Sequence, residues 1–572
     1  MRRATLALTA LFAFALPATA APPPPRDAAL RVAPTDFALV VVVQNLRDSV
    51  TTIADSPFAA WFPTSALGKQ LLGGADFKKI TDSATPVFGA LGVTPSDVLH
   101  DIAGDAVVFA YTPAPAADPK GERSVIILHP RKVDTLIRVI DRMNEAQTKS
   151  KELKAVVTHQ YADATYTERQ KPEGASDFYC FRGNVFAFSS SEAEIKALID
   201  RDATGAKDKP PELVARMTRL GVADAAVVVL VNPRPLDAEL AAKVKTAKPD
   251  EKAFLAKFAE VWAATDAAAL YLTVGADAEL GVSLQFDPAK VPAGAKGWLV
   301  GDRTPSALWA AVPDDALFAV AGRVKATDIL DFLTSIAPAD DKKGVRETIE
   351  QTLGPIVGKD KLPLVLDALG PDWALWVAPP AKGTKDAVPV LVAALKVQTD
   401  GPKGVEASKA LVQALEYGFQ TGRIAYNATH KDQLELREEK DGDAVIKSLT
   451  GDAFPAGVRP CFALKGGYLV VSTSPDAIKE FKAPTGTPKP GGEVPLARFN
   501  ATLARDYLLS HGPALAKVLS AAGAGEAKEL AQQLDALALV LEPVGKVELL
   551  ARGDASGLKV MLRVKTVKPL KK

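Results

Sequence analysis

An α+β chain of two similar lobes from an internal duplication, each an antiparallel sheet with helices packed on it, is the fold that the sequence predicts. Three observations predict it. Short runs rich in aromatic and β-branched residues follow glycine turns, as buried strands in hairpins do. Helical stripes lie between them, but without the strict strand–helix alternation of a doubly wound parallel sheet. The same blocks then come a second time, between 266 and 283 positions further on. Hydrophobic residues make up 48% of the 572-residue chain and charged ones 24%, enough apolar material for a large core.

The chain begins with Arg2 and Arg3, an apolar stretch from Leu6 to Leu16 and the small residues Ala18-Thr19-Ala20. That pattern predicts a signal peptide over 1–20 and a mature chain exported to the periplasm or beyond. Pro22 to Pro25 open a stiff Pro-rich segment, 21–33. No cysteine follows the cleavage site, which argues against a lipid anchor. No later uncharged apolar run approaches the roughly 18 residues of a membrane span, so no transmembrane span is expected in the mature chain.

The first lobe, 34–287, opens with a strand at Pro34 to Val40 and a helical region from Ser49 to Leu72. Gly92, Asp101 and Gly104 then lead into two strands, Ala106 to Tyr111 and Ser124 to Leu128, joined by a long loop. A helix follows with Val133, Leu136, Ile137, Ile140 and Met143 on one face. A polar, alternating segment holds Thr158-His159-Gln160. From Cys180 to Ile199 come a turn, a buried strand, a Ser191–Glu194 capping box and a stripe of Ile195, Leu198 and Ile199. A helical pair and a hairpin, Asp266 to Phe286, close the lobe.

A linker at 288–304 leads to the second lobe, 305–567, where the blocks return in order. They are Pro313 to Ala319, Thr327 to Leu353, Gly358 with Asp367 and Gly370, Asp372 to Val377, Val388 to Val392 and Val405 to Tyr417. Thr429-His430-Lys431 matches the segment around His159, and Cys461 to Lys479 matches Cys180 to Ile199, with Ser474 as the helix cap before Pro475. Ala483 to Glu493 reads as a flexible link inside this lobe, Asp535 to Val564 as its closing hairpin, and 568–572 as a basic tail.

Catalytic chemistry is thinly signalled. The five histidines include no pair at metal-ligand spacing, and no cofactor motif is found. His159 and His430 fall at matching positions, which suits a pair of ligand or proton-transfer groups, or polar residues on a solvated strand face. Trp373 and Trp376 lie on one strand-like run and could line a pocket or fill the core. Asp101, Asp105, Asp367 and Asp372 precede strands as turn residues do, although paired carboxylates are the alternative. Gly354 to Asp360 lacks the spacing and the hydroxyl of a phosphate loop, and the serines at 189–191 and 472–474 lack the glycines of a nucleophile elbow. The two cysteines, Cys180 and Cys461, occupy matching places; a bridge would need Cα atoms within about 7 Å, and small buried core residues are the other reading. A net charge of +1 argues against nucleic acid as a partner.

At Pro34 to Val43, at Gly92, Asp101 and Gly104, and at Cys180 to Ile199, the chain resembles a family of large exported bacterial proteins catalogued only as a domain of unknown function. The resemblance implies a cell-envelope or exported protein and carries over no active residues. Two functions are therefore expected as alternatives. One is an exported, non-enzymatic binding or scaffold protein whose partner is an apolar small molecule or another envelope protein. The other is a periplasmic hydrolase using His159 or His430 with carboxylates brought near by folding.

Overall fold

The computed structural model describes residues 24–114, 121–205, 209–336, 342–380 and 387–567. The expected signal peptide, 1–20, and the basic tail, 568–572, lie outside the described residues. The chain is α+β. In chain order the strands of the first half are β1 (Leu39–Gln44), β2 (Ala106–Thr112), β3 (Arg123–His129), β4 (Ala155–Tyr161), β5 (Ala164–Gln170), β6 (Ser176–Arg182), β7 (Val185–Ser189), β8 (Val227–Val231), β9 (Thr265–Val274) and β10 (Asp277–Phe286). Those of the second half are β11 (Phe318–Arg323), β12 (Leu369–Ala378), β13 (Val390–Val397), β14 (Glu435–Asp441), β15 (Ala444–Thr450), β16 (Cys461–Lys465), β17 (Tyr468–Ser472), β18 (Val494–Phe499), β19 (Val544–Gly553) and β20 (Gly557–Thr566).

Two compact units emerge. The first holds the described residues up to Thr35 together with Val93–Ala110 and Ser124–Ala215. Its strands run β2-β3-β7-β6-β5-β4. Helix Val133–Lys149 packs on β3, β6 and β7 through Leu136 and Ile140, which meet Phe186. The second unit holds the described residues of Asp36–Gly92, Tyr111–Arg123 and Arg216–Lys572. Its strands run β1-β8-β9-β10-β20-β19-β18-β11-β12-β13-β17-β16-β15-β14, each antiparallel to the next. Within that unit, β12-β13-β17-β16-β15-β14 repeats the strand order of the first unit, and β11-β18-β19-β20 repeats β1-β8-β9-β10.

The halves 34–287 and 305–567 meet inside the second unit, where β10 pairs along its length with β20. Asp277 stands opposite Lys565 and Gln285 opposite Gly557, and 280 residues separate both Asp277 from Gly557 and Gln285 from Lys565. The register is therefore its own mirror, centred on Gly281 and Met561, as in an isologous contact between two like subunits. The stretch 288–304 contains a short helix, Ala293–Leu299, and its Val291 and Val300 are buried beside Ala264 and Phe286. On the sheet face that carries Trp376, a core of small and aromatic residues forms under Leu308, Ile478 and Phe481. On the opposite face, the long helix Gly401–Thr429 covers β16 and β17, with Phe419 edge-on to Phe462 at 4.9 Å.

Several local expectations change. The Pro-rich segment is not an extended spacer: Pro25–Val32 is helical, with proline at the first position, where no N–H is needed, and Ala29, Leu30 and Val32 are buried. In helix Val133–Lys149 the buried line is Leu136, Ile140 and Asn144 at i, i+4 spacing, which turns Ile137 outward. The helix expected to end near Tyr417 continues to Thr429, and Asp535 belongs to helix Ala527–Val540, so the closing hairpin starts at Val544.

Ser191 and Ser474 make no side-chain cap. The hydroxyl two residues earlier does the work instead. Ser189 Oγ accepts from Ser191 N at 3.0 Å and donates to Ser124 O at 2.7 Å. Ser472 Oγ accepts from Ser474 N at 3.0 Å and donates to Leu391 O at 2.9 Å. These matched bonds identify Leu391 as the counterpart of Ser124, three residues beyond the sequence match.

They also separate the cysteines. Ser189 pairs with Phe178 and Ser472 with Cys461, so Cys461 corresponds to Phe178, and Cys180 corresponds to Ala463. Matching Cys to Cys slips the register by two, which keeps the same face inward and so leaves no trace in the apolar pattern. Both thiols are free and buried, and burial pushes each up to about 12. The same register aligns Arg182 with Lys465, each the last strand residue before the turn.

Candidate functional site: an apolar floor at the strand seam

Alternating strands normally turn apolar residues inward and polar ones outward. Around the β10–β20 seam the order is inverted. Glu279, Ser283, Lys559 and Arg563 lie on the covered face with Gly281, Tyr271 and Met561. Leu280, Val282, Leu270 and Leu562 lie on the other face, and they are 48%, 42%, 46% and 38% exposed.

The covered charges are mutually satisfied. Tyr271 OH donates to Glu279 Oε1 at 2.6 Å, and Arg563 donates to Glu279 Oε2 at 2.9 Å and to Glu493 at 2.9 Å. Lys559 Nζ lies 4.4 Å from the Tyr271 ring centre. Burial acts to raise the Glu279 pKa, but the bonds from Tyr271 and Arg563 outweigh it and leave the carboxylate below its usual range. Burial first, then the bond to Glu279, raises the Tyr271 phenol. Gly281 is required opposite Tyr271, because a Cβ there would fall 2.4 Å from the phenol oxygen.

The inverted face is continuous. Val43, Val227, Leu272, Leu280, Leu562, Leu549, Ala497, Val320 and Leu375 stand opposite one another in turn across the second unit. Beside them run Val41, Val229, Leu270, Val282 and Val560. At a strand spacing near 4.8 Å, Val43 to Leu549 covers about 24 Å. Helices Leu46–Ala54 and Pro249–Ala264 touch β9, and Ala501–Ala521 touches β19. On these helices Ile53, Phe254, Phe258 and Leu509 are exposed, and Phe258 and Trp262 line a cleft with Leu236 and Leu240. Phe254, Phe258 and Trp262 form a ladder, with ring centres 6.5 Å and 5.8 Å apart.

The residues singled out by sequence are not gathered into one site. His159, on β4, lies in the first unit. Its Nε2 is 2.9 Å from Glu168 Oε2, and its ring stacks on Tyr166 at 5.2 Å. Ser176 Oγ donates to the other Glu168 oxygen at 2.7 Å. The carboxylate thus sits between hydroxyl and imidazole, whereas nucleophile activation needs the imidazole in the middle. The bond from Ser176, then those from His159 and Gln170, lower the Glu168 pKa.

His430 is not the counterpart of His159. It caps the helix Gly401–Thr429 and stacks on Tyr426 at 4.0 Å. In the matching hairpins Tyr161 pairs with Ala164 and Asp441 with Ala444, so Glu439 takes the place of His159. Trp373 and Trp376, three apart on β12, point to opposite faces. Trp376 is core, stacked on Phe481 at 6.4 Å, while Trp373 covers Gly322 on the same face as Leu375 and the apolar rows.

The aspartates bond locally. Asp101 holds Lys132 at 2.9 Å, and Asp372 accepts from Ala307 N at 3.0 Å. Asp367 lines a cavity of about 370 Å³ with Asp331, Glu350 and Lys359. Among the described residues, no group of three or more His, Cys, Asp or Glu is placed to hold a metal ion, and no helix is long and apolar enough to cross a membrane. No family model, curated protein or solved structure matches the chain.

Sequence reading missed the apolar floor. Its signal was present in β10, where Ala278, Leu280, Val282 and Leu284 alternate with Glu279, Gly281 and Ser283. Alternation fixes which residues share a face, but it leaves open which face is covered.

Proposed function

We propose that the chain is an exported, non-enzymatic binding protein whose inverted sheet face at the β10–β20 seam takes a long apolar ligand. The observation that carries this reading is the exposure of Leu270, Leu280, Val282 and Leu562 while Glu279, Lys559 and Arg563 of the same strands are covered. Contiguous exposed apolar area costs solubility, and in a folded chain it marks a place where something binds.

Magnitude narrows the ligand. Fully burying one aliphatic side chain is worth about 1.5–3 kcal/mol, so covering the exposed part of these four yields about 2–5 kcal/mol, an affinity no tighter than about 0.2 mM. A small hydrocarbon on the floor alone binds weakly. A chain long enough to follow the rows across Leu272, Val560 and Leu549 adds several residues' worth, which favours an acyl chain or a similar extended apolar molecule.

The test is titration of the full chain with a fluorescent long-chain fatty acid, alongside native mass spectrometry of gently purified protein. Saturable binding, competed by unlabelled fatty acid and weakened at least tenfold in Leu280→Lys, is the expected result. Leu280 is half exposed, so the substitution spares the core. Unsaturable binding, or equal affinity in wild type and variant, overturns the reading.

A further inference from the structure

The strands at the ends of the two sheet orders are equivalent in position and opposite in character. Among the described residues β4 pairs with β5 and with no other strand, and β14 pairs with β15 alone. β14 reads Glu-Leu-Arg-Glu-Glu-Lys-Asp, a strand edge guarded by charge against further pairing. β4 reads Ala-Val-Val-Thr-His-Gln-Tyr, with no Asp, Glu, Lys or Arg. Its Val156, Thr158 and Gln160 are exposed. The neighbouring charge does not guard it, because Glu168 is engaged by His159, Ser176 and Gln170.

We propose that β4 is a self-association edge, on which a second copy of this chain adds its own β4 in antiparallel pairing. The choice of occupant rests on two observations. The β10–β20 seam demonstrates that equivalent strands of this fold pair antiparallel in a self-mirrored register, so the twist and side-chain alternation of the two halves tolerate the operation. Charge decides where it can happen between copies. Two β4 strands centred on Thr158 set threonine against threonine and Val156 against Gln160, with no like charges opposed. Two β14 strands, centred in the same way on Glu438, set glutamate against glutamate, which is destabilising. A contact of one strand pair is small, so association is weak and depends on concentration.

Sedimentation velocity of the full chain over rising concentration tests this. The expected result is a reversible monomer–dimer equilibrium in which Thr158→Lys and Val156→Lys each raise the dissociation constant at least tenfold while the thermal unfolding midpoint stays unchanged. Leu280→Lys and Glu438→Ala should leave the equilibrium as it was. A chain that stays monomeric at every concentration overturns the proposal, including one that pairs β4 with an extended peptide from another protein. So does a dimer that both β4 variants leave intact. Loss of the dimer in Leu280→Lys alone places the contact on the apolar face, which separates failure of this proposal from the fatty-acid titration.

Discussion

The hairpins β4–β7 and β14–β17 are built on the same bonds and present different surfaces. Ser189 and Ser472 tie the strand end to the next helix and to a neighbouring strand through the same two contacts. Arg182 and Lys465 both tie the end of their strand to the preceding hairpin and to the following helix, the arginine to Asp163 at 3.3 Å and to Asp202 of helix Glu192–Thr204 at 2.8 Å, the lysine to Asp441 at 2.7 Å and to carbonyls of helix Pro475–Glu480. The side chains beyond that frame diverge: His159, Tyr166 and Glu168 on one side answer to Glu439, Ile446 and Ser448 on the other. What the two hairpins share is backbone anchoring. The polar cluster around His159 belongs to one of them only.

The sharpest way to break this comparison is at the serines. Ser189→Ala and Ser472→Ala each leave the N–H two residues on without its hydroxyl acceptor, at a cost of about 1–3 kcal/mol. Urea unfolding should give equal losses to within about 0.5 kcal/mol; a clear inequality would mean that the bonds are matched in geometry and not in role.

At the cations a graded difference is expected. Lys465 also donates to the carbonyls of Ile478 and Lys479, whereas the second partner of Arg182, Asp163, is two-thirds exposed. Lys465→Ala should therefore cost about 1–2 kcal/mol and Arg182→Ala about 0.5–1 kcal/mol. Hydrogen exchange on β16 and β6 would read the two separately.

Acid should distinguish the units next. Glu168 has a folded pKa below its unfolded value, so the unfolded state binds more protons and stability rises with pH. Its contribution is complete above the unfolded pKa of about 4.3 and disappears as pH falls through the folded value. Ser448, its counterpart, does not ionise in this range. Proteolysis at pH 5 and pH 3 should open the first unit more than Glu168→Gln does over the same interval.

The smallest effect is expected at His159. Glu168 retains Ser176 and Gln170 when the imidazole is removed, so His159→Ala should cost about 0–1 kcal/mol. A larger loss in calorimetry would make the unrepeated cluster part of the frame.

Much of this fold was legible because the evidence for it is local. Glycine turns and period-two runs mark the hairpins, and Gly92 and Gly358, both in the left-handed region after helices, mark the same corner in each half. Legibility failed where physics leaves two answers. A slip of two residues keeps every side chain on its face, which is how Cys180 came to be aligned with Cys461. The helix expected to end near Tyr417 runs on through Gly418 and Gly422 to Thr429, where Phe419 packing on Phe462 and the bonds between Asn427 and Leu434 outweigh weak local propensity. The open face at the seam was hidden for the third reason, that alternation has no sign.

The self-mirrored seam also bears on how the chain is completed. Glu279 and Arg563 are 284 residues apart, so this pairing is among the most distant contacts of the fold and must wait for nearly the whole chain to be made. Until then β10 offers an unpaired edge and half of an aliphatic surface, the state in which a chain is most open to wrong partners. Removing the last few dozen residues would take away β20 and with it the link between β10 and β19. Loss of β20 therefore cuts the larger sheet in its interior, between β10 and β19, and not at an edge.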